Sequence, residues 1–174
     1  FAGLLVMPLW MKLSYIIGKS KTLFISTLLC SFTLLSYLLI DTNEALTTLI
    51  ILTVLYGIGY GAPFTLTRAL MADIVDADEL RSKKKRPGLF YSILTTLSKL
   101  GAALAVGSVY SYLEFRGFKP DVDASENIKE LLLFVFAVIP MFLYFCASLF
   151  CVGYELTSKK HEEIQKQLEF RNKI

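Results

Sequence analysis

The placement of charge constrains this chain more than any other feature. Five stretches, residues 1–11, 22–40, 45–67, 87–113 and 131–154, together hold 104 residues and a single charge, Lys99. The other 70 residues carry the remaining 32 charges. At 55% hydrophobic and 19% charged, the composition departs only modestly from soluble domains, which run at about 45–50% and about 25%. The segregation decides the class. A soluble core does not exclude charge over such runs, whereas a helix crossing about 30 Å of hydrocarbon needs about 20 apolar residues. Four of the stretches are long enough. Lipid leaves no partner for open backbone, so the spans must be helices. The expectation is an all-α integral membrane protein with the lipid bilayer as its solvent. A soluble enzyme, a nucleic-acid-binding domain and a disordered tail are excluded.

Residues 1–11 are apolar but reach only about half a span, and the chain opens on Phe1. It therefore reads as a fragment cut inside a span, with a missing N-terminal half as its expected partner. The expected bundle is 1–154, comprising the truncated span 1–11 and the spans 22–40, 45–67, 87–113 and 131–154, with 155–174 as a tail. Lys and Arg counts set orientation. Connections 12–21, 68–86 and 155–174 carry 3, 6 and 5 of them, against 0 and 3 in 41–44 and 114–130. The first three are expected to be cytoplasmic, with 68–86 the main cytoplasmic loop and the C-terminus inside a cell (inner or plasma) membrane. Asp41-Thr42-Asn43-Glu44 reads as a tight outer turn. Pro8, Pro63 and Pro140 predict kinks. The tail from about Thr157 to Arg171 reads as a short surface helix, with Ile164 and Leu168 four apart. Cys30, Cys146 and Cys151 all fall inside spans and read as small hydrophobes rather than a disulfide framework.

Lys99 is the most informative residue. It sits beside the centre of span 87–113, about 15 Å from either interface, and its side chain reaches roughly 6 Å. A central lysine costs about 2.5–3.5 kcal/mol on insertion scales. All 15 Asp and Glu lie in connections and tail, so no span supplies an acid. Its partner is then in the missing half, a bound solute, or water and backbone carbonyls. The bland alternative is a structural lysine in a polar core. Ser92, Thr95, Thr96 and Lys99 fall at i, i+3, i+4 and i+7, one helical face. Those hydroxyls suit a sugar-like solute or an ion, but can equally bond their own helix backbone. Gly101, Ala102, Ala103 and Ala105 suit close helix packing.

Tyr56-Gly57-Ile58-Gly59-Tyr60-Gly61-Ala62-Pro63-Phe64 combines a GxxxG, Gly57 and Gly61, with an aromatic pair four apart, Tyr60 and Phe64. The glycines permit close helix crossing; the aromatics could face a solute, lipid or a neighbouring helix. The loop that follows places Asp73, Asp76 and Glu79 ahead of Lys83, Lys84, Lys85 and Arg86. It reads as a solvated loop with weak surface pairs, a lipid-headgroup contact, or a cytoplasmic gate whose charges pair and part during a cycle.

Ala72-Asp73-Ile74-Val75-Asp76, then Glu79, the basic cluster, Gly88-Leu89-Phe90-Tyr91-Ser92 and Lys99-Leu100-Gly101 resemble one known family, as do Gly18-Lys19-Ser20-Lys21, Gly117-Phe118 and the span with Pro140. The chain resembles the C-terminal half of the glycoside–pentoside–hexuronide:cation symporters, the melibiose-permease-like branch of the major facilitator superfamily. The resemblance covers nearly the whole chain and implies the end of helix 8 followed by helices 9 to 12. It implies Lys99 near the cation and sugar sites, Thr95 close to the sugar, Phe64 as a helix-10 aromatic beside it, and Asp73 and Asp76 in a cytoplasmic gate with Lys85 or Arg86. Lys85 stands where melibiose permease has an arginine, and Pro87-Gly88 replaces an acid expected after it, which points to a branch of the family other than melibiose permease itself. Coupling to sodium or a proton is implied through aspartates of the missing half, with no other cofactor.

The function expected is secondary active transport, cation-coupled symport of a sugar or related small polar solute by alternating access. A carrier of a lipid-like amphiphile and a non-transporting membrane sensor or scaffold are the alternatives. An enzyme is not expected: the only histidine, His161, lies in the tail, and no metal-ligand spacing or nucleophile–base pair occurs.

Overall fold

The computed structural model describes residues 1–39, 45–118, 126–153 and 158–172. Every regular element among them is helical: α1 (Ala2–Ile17), α2 (Lys19–Ser36) with a 3-10 turn Tyr37–Leu39, α3 (Ala45–Ser82), α4 (Pro87–Phe115), α5 (Glu126–Leu133), a π turn Phe134–Val138, α6 (Ile139–Val152) and α7 (Ser158–Asn172). Four helical stretches are long and apolar enough to cross a membrane: Lys19–Leu39, Leu46–Ser82, Pro87–Phe115 and Glu130–Val152. The expected outer turn Asp41–Glu44 lies outside the described residues, as does 119–125 of the second outer connection.

Burial runs opposite to that of a soluble protein. α2 packs between α3 and α6 and buries Thr22, Ser26, Thr27, Cys30, Ser31, Thr33 and Leu34. The large apolar side chains, such as Leu104, Phe136, Phe142 and Phe150, point outward. Lipid tails are as apolar as leucine, so helix association in a bilayer selects small residues that let backbones approach. The buried hydroxyls bond their own helix: Thr22 donates to Gly18 O at 2.9 Å, Ser26 and Thr27 to Leu23 O at 2.9 Å, and Thr33 to Leu29 O at 2.7 Å. Ser31 instead crosses to Met141 O of α6 at 3.0 Å.

The glycines of α3 explain its two close crossings. A Cβ on Gly61 would sit 2.6 Å from the Gly3 carbonyl of α1, and one on Gly3 would sit 2.9 Å from the Gly57 carbonyl. A Cβ on Gly59, on another side of α3, would meet Cys30 Sγ of α2 at 2.8 Å. The GxxxG pair is thus a crossing point. Trp10 clamps it by donating from Nε1 to Ile58 O at 2.7 Å, and it packs with Ala62 and Leu66.

Where 68–86 reads as a loop in the sequence, α3 continues unbroken through Pro63 to Ser82. Lys83 stops it with a left-handed φ of 58°, and Pro87 at the first turn of α4 restarts helix. Arg86 spans the break, forking onto Asp78 at 2.8 and 3.2 Å. The π turn lies just before Pro140, whose ring would clash with the carbonyl four residues back and whose nitrogen has no proton to give it.

α4 stands apart from the rest of the described bundle. Of its residues only Leu113 is buried, and a Cβ on Gly101 or Gly107 would meet nothing within 4 Å. It ends where Gly117, φ 78°, lets Gly117 and Phe118 donate back to Glu114 O at 2.9 Å and Leu113 O at 3.0 Å.

Candidate functional site

Two groups of residues carry chemistry. The first lies on the spans. Lys99 is exposed, and among the described residues no carboxylate pairs with it. Ser92 donates to Leu89 O at 2.8 Å and Thr95 to Tyr91 O at 2.8 Å, so both hydroxyls are engaged by their own helix. Thr96 is exposed one turn below Lys99. On α3, Tyr60 and Phe64 are each about half exposed. Tyr60 stacks on Tyr56 at 6.0 Å between centroids, and Tyr56 hydroxyl meets Tyr144 hydroxyl of α6 at 3.1 Å. One further turn along the same face, the Arg68 guanidinium covers the Phe64 ring at 4.3 Å from its centroid. Tyr91 of α4 donates to the Arg68 carbonyl at 3.3 Å, the tie between the two helices at this level. Tyr60, Phe64 and Arg68 thus form an exposed stripe at i, i+4 and i+8. Arg68 was hidden in the sequence as the first charge after a span; the four-residue spacing from Phe64 is the signal that finds it.

The second group is a charged clasp on the continuation of α3. Asp73 is 4% exposed and receives Lys19 Nζ on both oxygens, at 2.6 and 2.8 Å. His161 Nε2 of α7 lies 3.0 Å from Asp76 Oδ2 and 3.3 Å from Asp73 Oδ1. Glu79, also buried, accepts Arg171 Nη2 at 2.7 Å, while Arg171 Nη1 bonds the Glu79 carbonyl at 3.1 Å. Lys85 adds a longer contact to Glu79, 3.7 Å. On the outer face of α7, Lys166 bonds Glu162 at 2.9 Å and holds its carboxyl below the usual carboxylate range.

The pairing differs from the one the resemblance implies. Among the described residues Asp73 and Asp76 pair with Lys19 and His161, Lys85 contacts Glu79, and Arg86 binds Asp78. The reason is position. Lys85 and Arg86 follow the left-handed break at Lys83, beyond the helix end, while α2 and α7 pack directly on α3. Lys19, His161 and Arg171 were missed as partners because they lie 54 to 92 residues from the carboxylates they meet, where spacing carries no signal; Asp78 lies only eight residues before Arg86, and the turn at Lys83 brings them together.

An inside-out helical bundle with a lysine on an open span and a charged clasp at one end defines a polytopic membrane protein. Residues 1–158 match the family described as MFS/sugar transport protein, and the chain belongs to that family. It is 25% identical over 97% of its length to an uncharacterised symporter of Synechocystis, covering 32% of that protein. It is 26% identical over 91% of its length to the glucuronide carrier protein homolog of Escherichia coli, covering 34%. It is 24% identical over 93% of its length to the sodium-dependent lysophosphatidylcholine symporter 1-A of Danio rerio, covering 31%. The chain spans about a third of the length of these relatives. Their names are those of transporters rather than enzymes.

Proposed function

We propose that the protein containing this chain is a cation-coupled secondary transporter for a sugar-like or related polar solute, working by alternating access. In this reading the solute binds between this bundle and the N-terminal half, against Lys99, Thr95, Thr96, Ser92, Tyr60 and Phe64. Lys99 offers an ammonium whose mid-membrane position is tolerable only beside polar or acidic groups. The coupling ion, sodium or a proton, shifts the balance of outward- and inward-open states by binding one better than the other. The clasp residues Asp73, Asp76 and Glu79 hold the inner end of α3 closed on its neighbours in one of those states. Lys85 and Arg86 brace the turn into α4. The tail lies on the cytoplasmic side, as the charge bias requires.

The observation that carries the reading is the single ammonium on α4, a spanning helix exposed over almost all its surface. An amphiphile is the second reading. The stripe Tyr60–Phe64–Arg68, apolar rings ending in a guanidinium, suits an anionic head on an apolar body, and one relative is named a lysophosphatidylcholine symporter. Counterflow in proteoliposomes with the full-length protein tests both. Uptake of a sugar or uronide that Lys99→Met abolishes supports the first; uptake of a lysolipid alone moves the assignment to the second. Unchanged transport in Lys99→Ala and Lys99→Met refutes the role given to this lysine.

A further inference from the structure

The only histidine of the chain sits in the clasp, and transport chemistry leaves it unused. Its ring is nearly enclosed, with 14% of the side chain exposed. One nitrogen, Nε2, faces two carboxylates at 3.0 and 3.3 Å. Carboxylates only accept hydrogen bonds, so Nε2 must carry a proton in this arrangement. A second proton would make the ring cationic. Asp73 and Asp76 bring two negative charges, and Lys19 of α2 brings one positive. An imidazolium adds a positive charge beside Asp73, whose side chain is 6% exposed, and Asp76, at 33%, which a neutral imidazole does not. A cavity of about 330 Å³ opens beside the ring, with Glu162 of α7, largely exposed and bonded to Lys166, at its rim. Ser14 and Tyr15 of α1 line that cavity without adding charge. Imidazole is the side chain that ordinarily changes charge between pH 5 and 8.

We propose that His161 is a pH-operated latch: its protonated ring fastens the first turns of the tail helix α7 to Asp73 and Asp76 of α3, and loss of the proton loosens them. The far end of α7 has its own anchor, Arg171 on Glu79 at 2.7 Å, with Leu168 buried beside it. Guanidinium does not titrate in this range. The latch therefore opens from one end, with residues near 158–165 freed while 168–171 stay docked. The direction follows from the charges: acid tightens the contact and alkali releases it. Because Asp73 also holds Lys19, the state of His161 reaches the α1–α2 turn as well as α3.

The test is hydrogen–deuterium exchange of the full-length protein in nanodiscs at pH 5.5, 7 and 8.5, comparing wild type with His161→Gln at each pH so that intrinsic exchange cancels. Gln keeps a neutral donor and cannot take a charge. At pH 5.5, peptides over 158–165 should exchange about fivefold faster in His161→Gln than in wild type, the factor separating a charged from a neutral hydrogen bond. At pH 8.5 the two should coincide, and 168–171 should show no difference at either pH. Asp76→Asn, which removes one acceptor charge, should shrink the acid-side gain of wild type. A His161→Gln to wild-type ratio that stays constant across pH, whether one or larger, overturns the proposal.

Discussion

Gly61→Ala should push α1 off α3. The added Cβ would lie 2.6 Å from the Gly3 carbonyl oxygen, and a carbon–oxygen contact settles at about 3.3 Å. The clashing atom is backbone, so a side chain cannot swing away and the helices must part by about 0.7 Å locally. A gap of that size forfeits roughly a quarter to a half of each dispersion contact along the crossing. It would also stretch the 2.7 Å bond from Trp10 Nε1 to Ile58 O, worth about 1 kcal/mol. Overpacking of this kind costs about 1–3 kcal/mol, against a gain of up to about 1 kcal/mol because alanine is the better helix former. Gly101→Ala, with nothing within 4 Å, meets no such contact in this bundle and should keep the helix gain. The assay is thermal unfolding of the purified full-length protein, followed by size exclusion after heating. Gly61→Ala should melt below wild type and Gly101→Ala at or above it. Equal melting of the two variants would refute the close-crossing argument.

Lys19→Met should destabilise the protein more than Lys19→Met combined with Asp73→Asn, because the single change leaves the buried Asp73 carboxylate with only the longer His161 contact among the described residues; a double-mutant cycle on melting should give a coupling of about 1–3 kcal/mol, and simple additivity would contradict the pairing. Arg171→Ala should expose the end of the tail helix to proteolysis near Asn172 by removing both bonds to Glu79, and unchanged cleavage would show that α7 is held elsewhere. Phe64→Ala should weaken solute affinity while leaving melting within about 1 kcal/mol, since the ring is half exposed; transport kinetics with an unchanged KM would remove Phe64 from the site.

The fold class was legible because hydrocarbon thickness acts on composition alone. Among the described residues, four helices are long and apolar enough to cross, each overlapping one of the stretches 22–40, 45–67, 87–113 and 131–154. The crossing at Gly57 and Gly61 was legible for a similar reason, since only backbone contact needs glycine there. The reach of α3 was not. Residues 68–82 carry the charge of a loop, and they stay helical with Asp73, Asp76 and Glu79 on a face that Lys19, His161 and Arg171 cover from other segments. Such pairing is tertiary, and no local pattern encodes it. The hydroxyls of Ser92 and Thr95 were ambiguous in the sequence and are bonded to their own backbone in the structure. Lys99 was visible as an anomaly of charge, since a lysine far from either interface stands out against any apolar run.

The environment that the α4 face meets decides between a solute pathway and a lipid contact. Lys99→Cys in the full-length protein, in native membranes, can be probed with a small charged thiol reagent, with the unsubstituted parent as the control for Cys30, Cys146 and Cys151. Leu104→Cys, whose parent side chain is 72% exposed, serves as the comparison elsewhere on the helix. A water-filled pathway predicts rapid modification at position 99 by the charged reagent. Reaction there only with lipid-soluble maleimides would place the lysine against the bilayer and contradict the transport assignment.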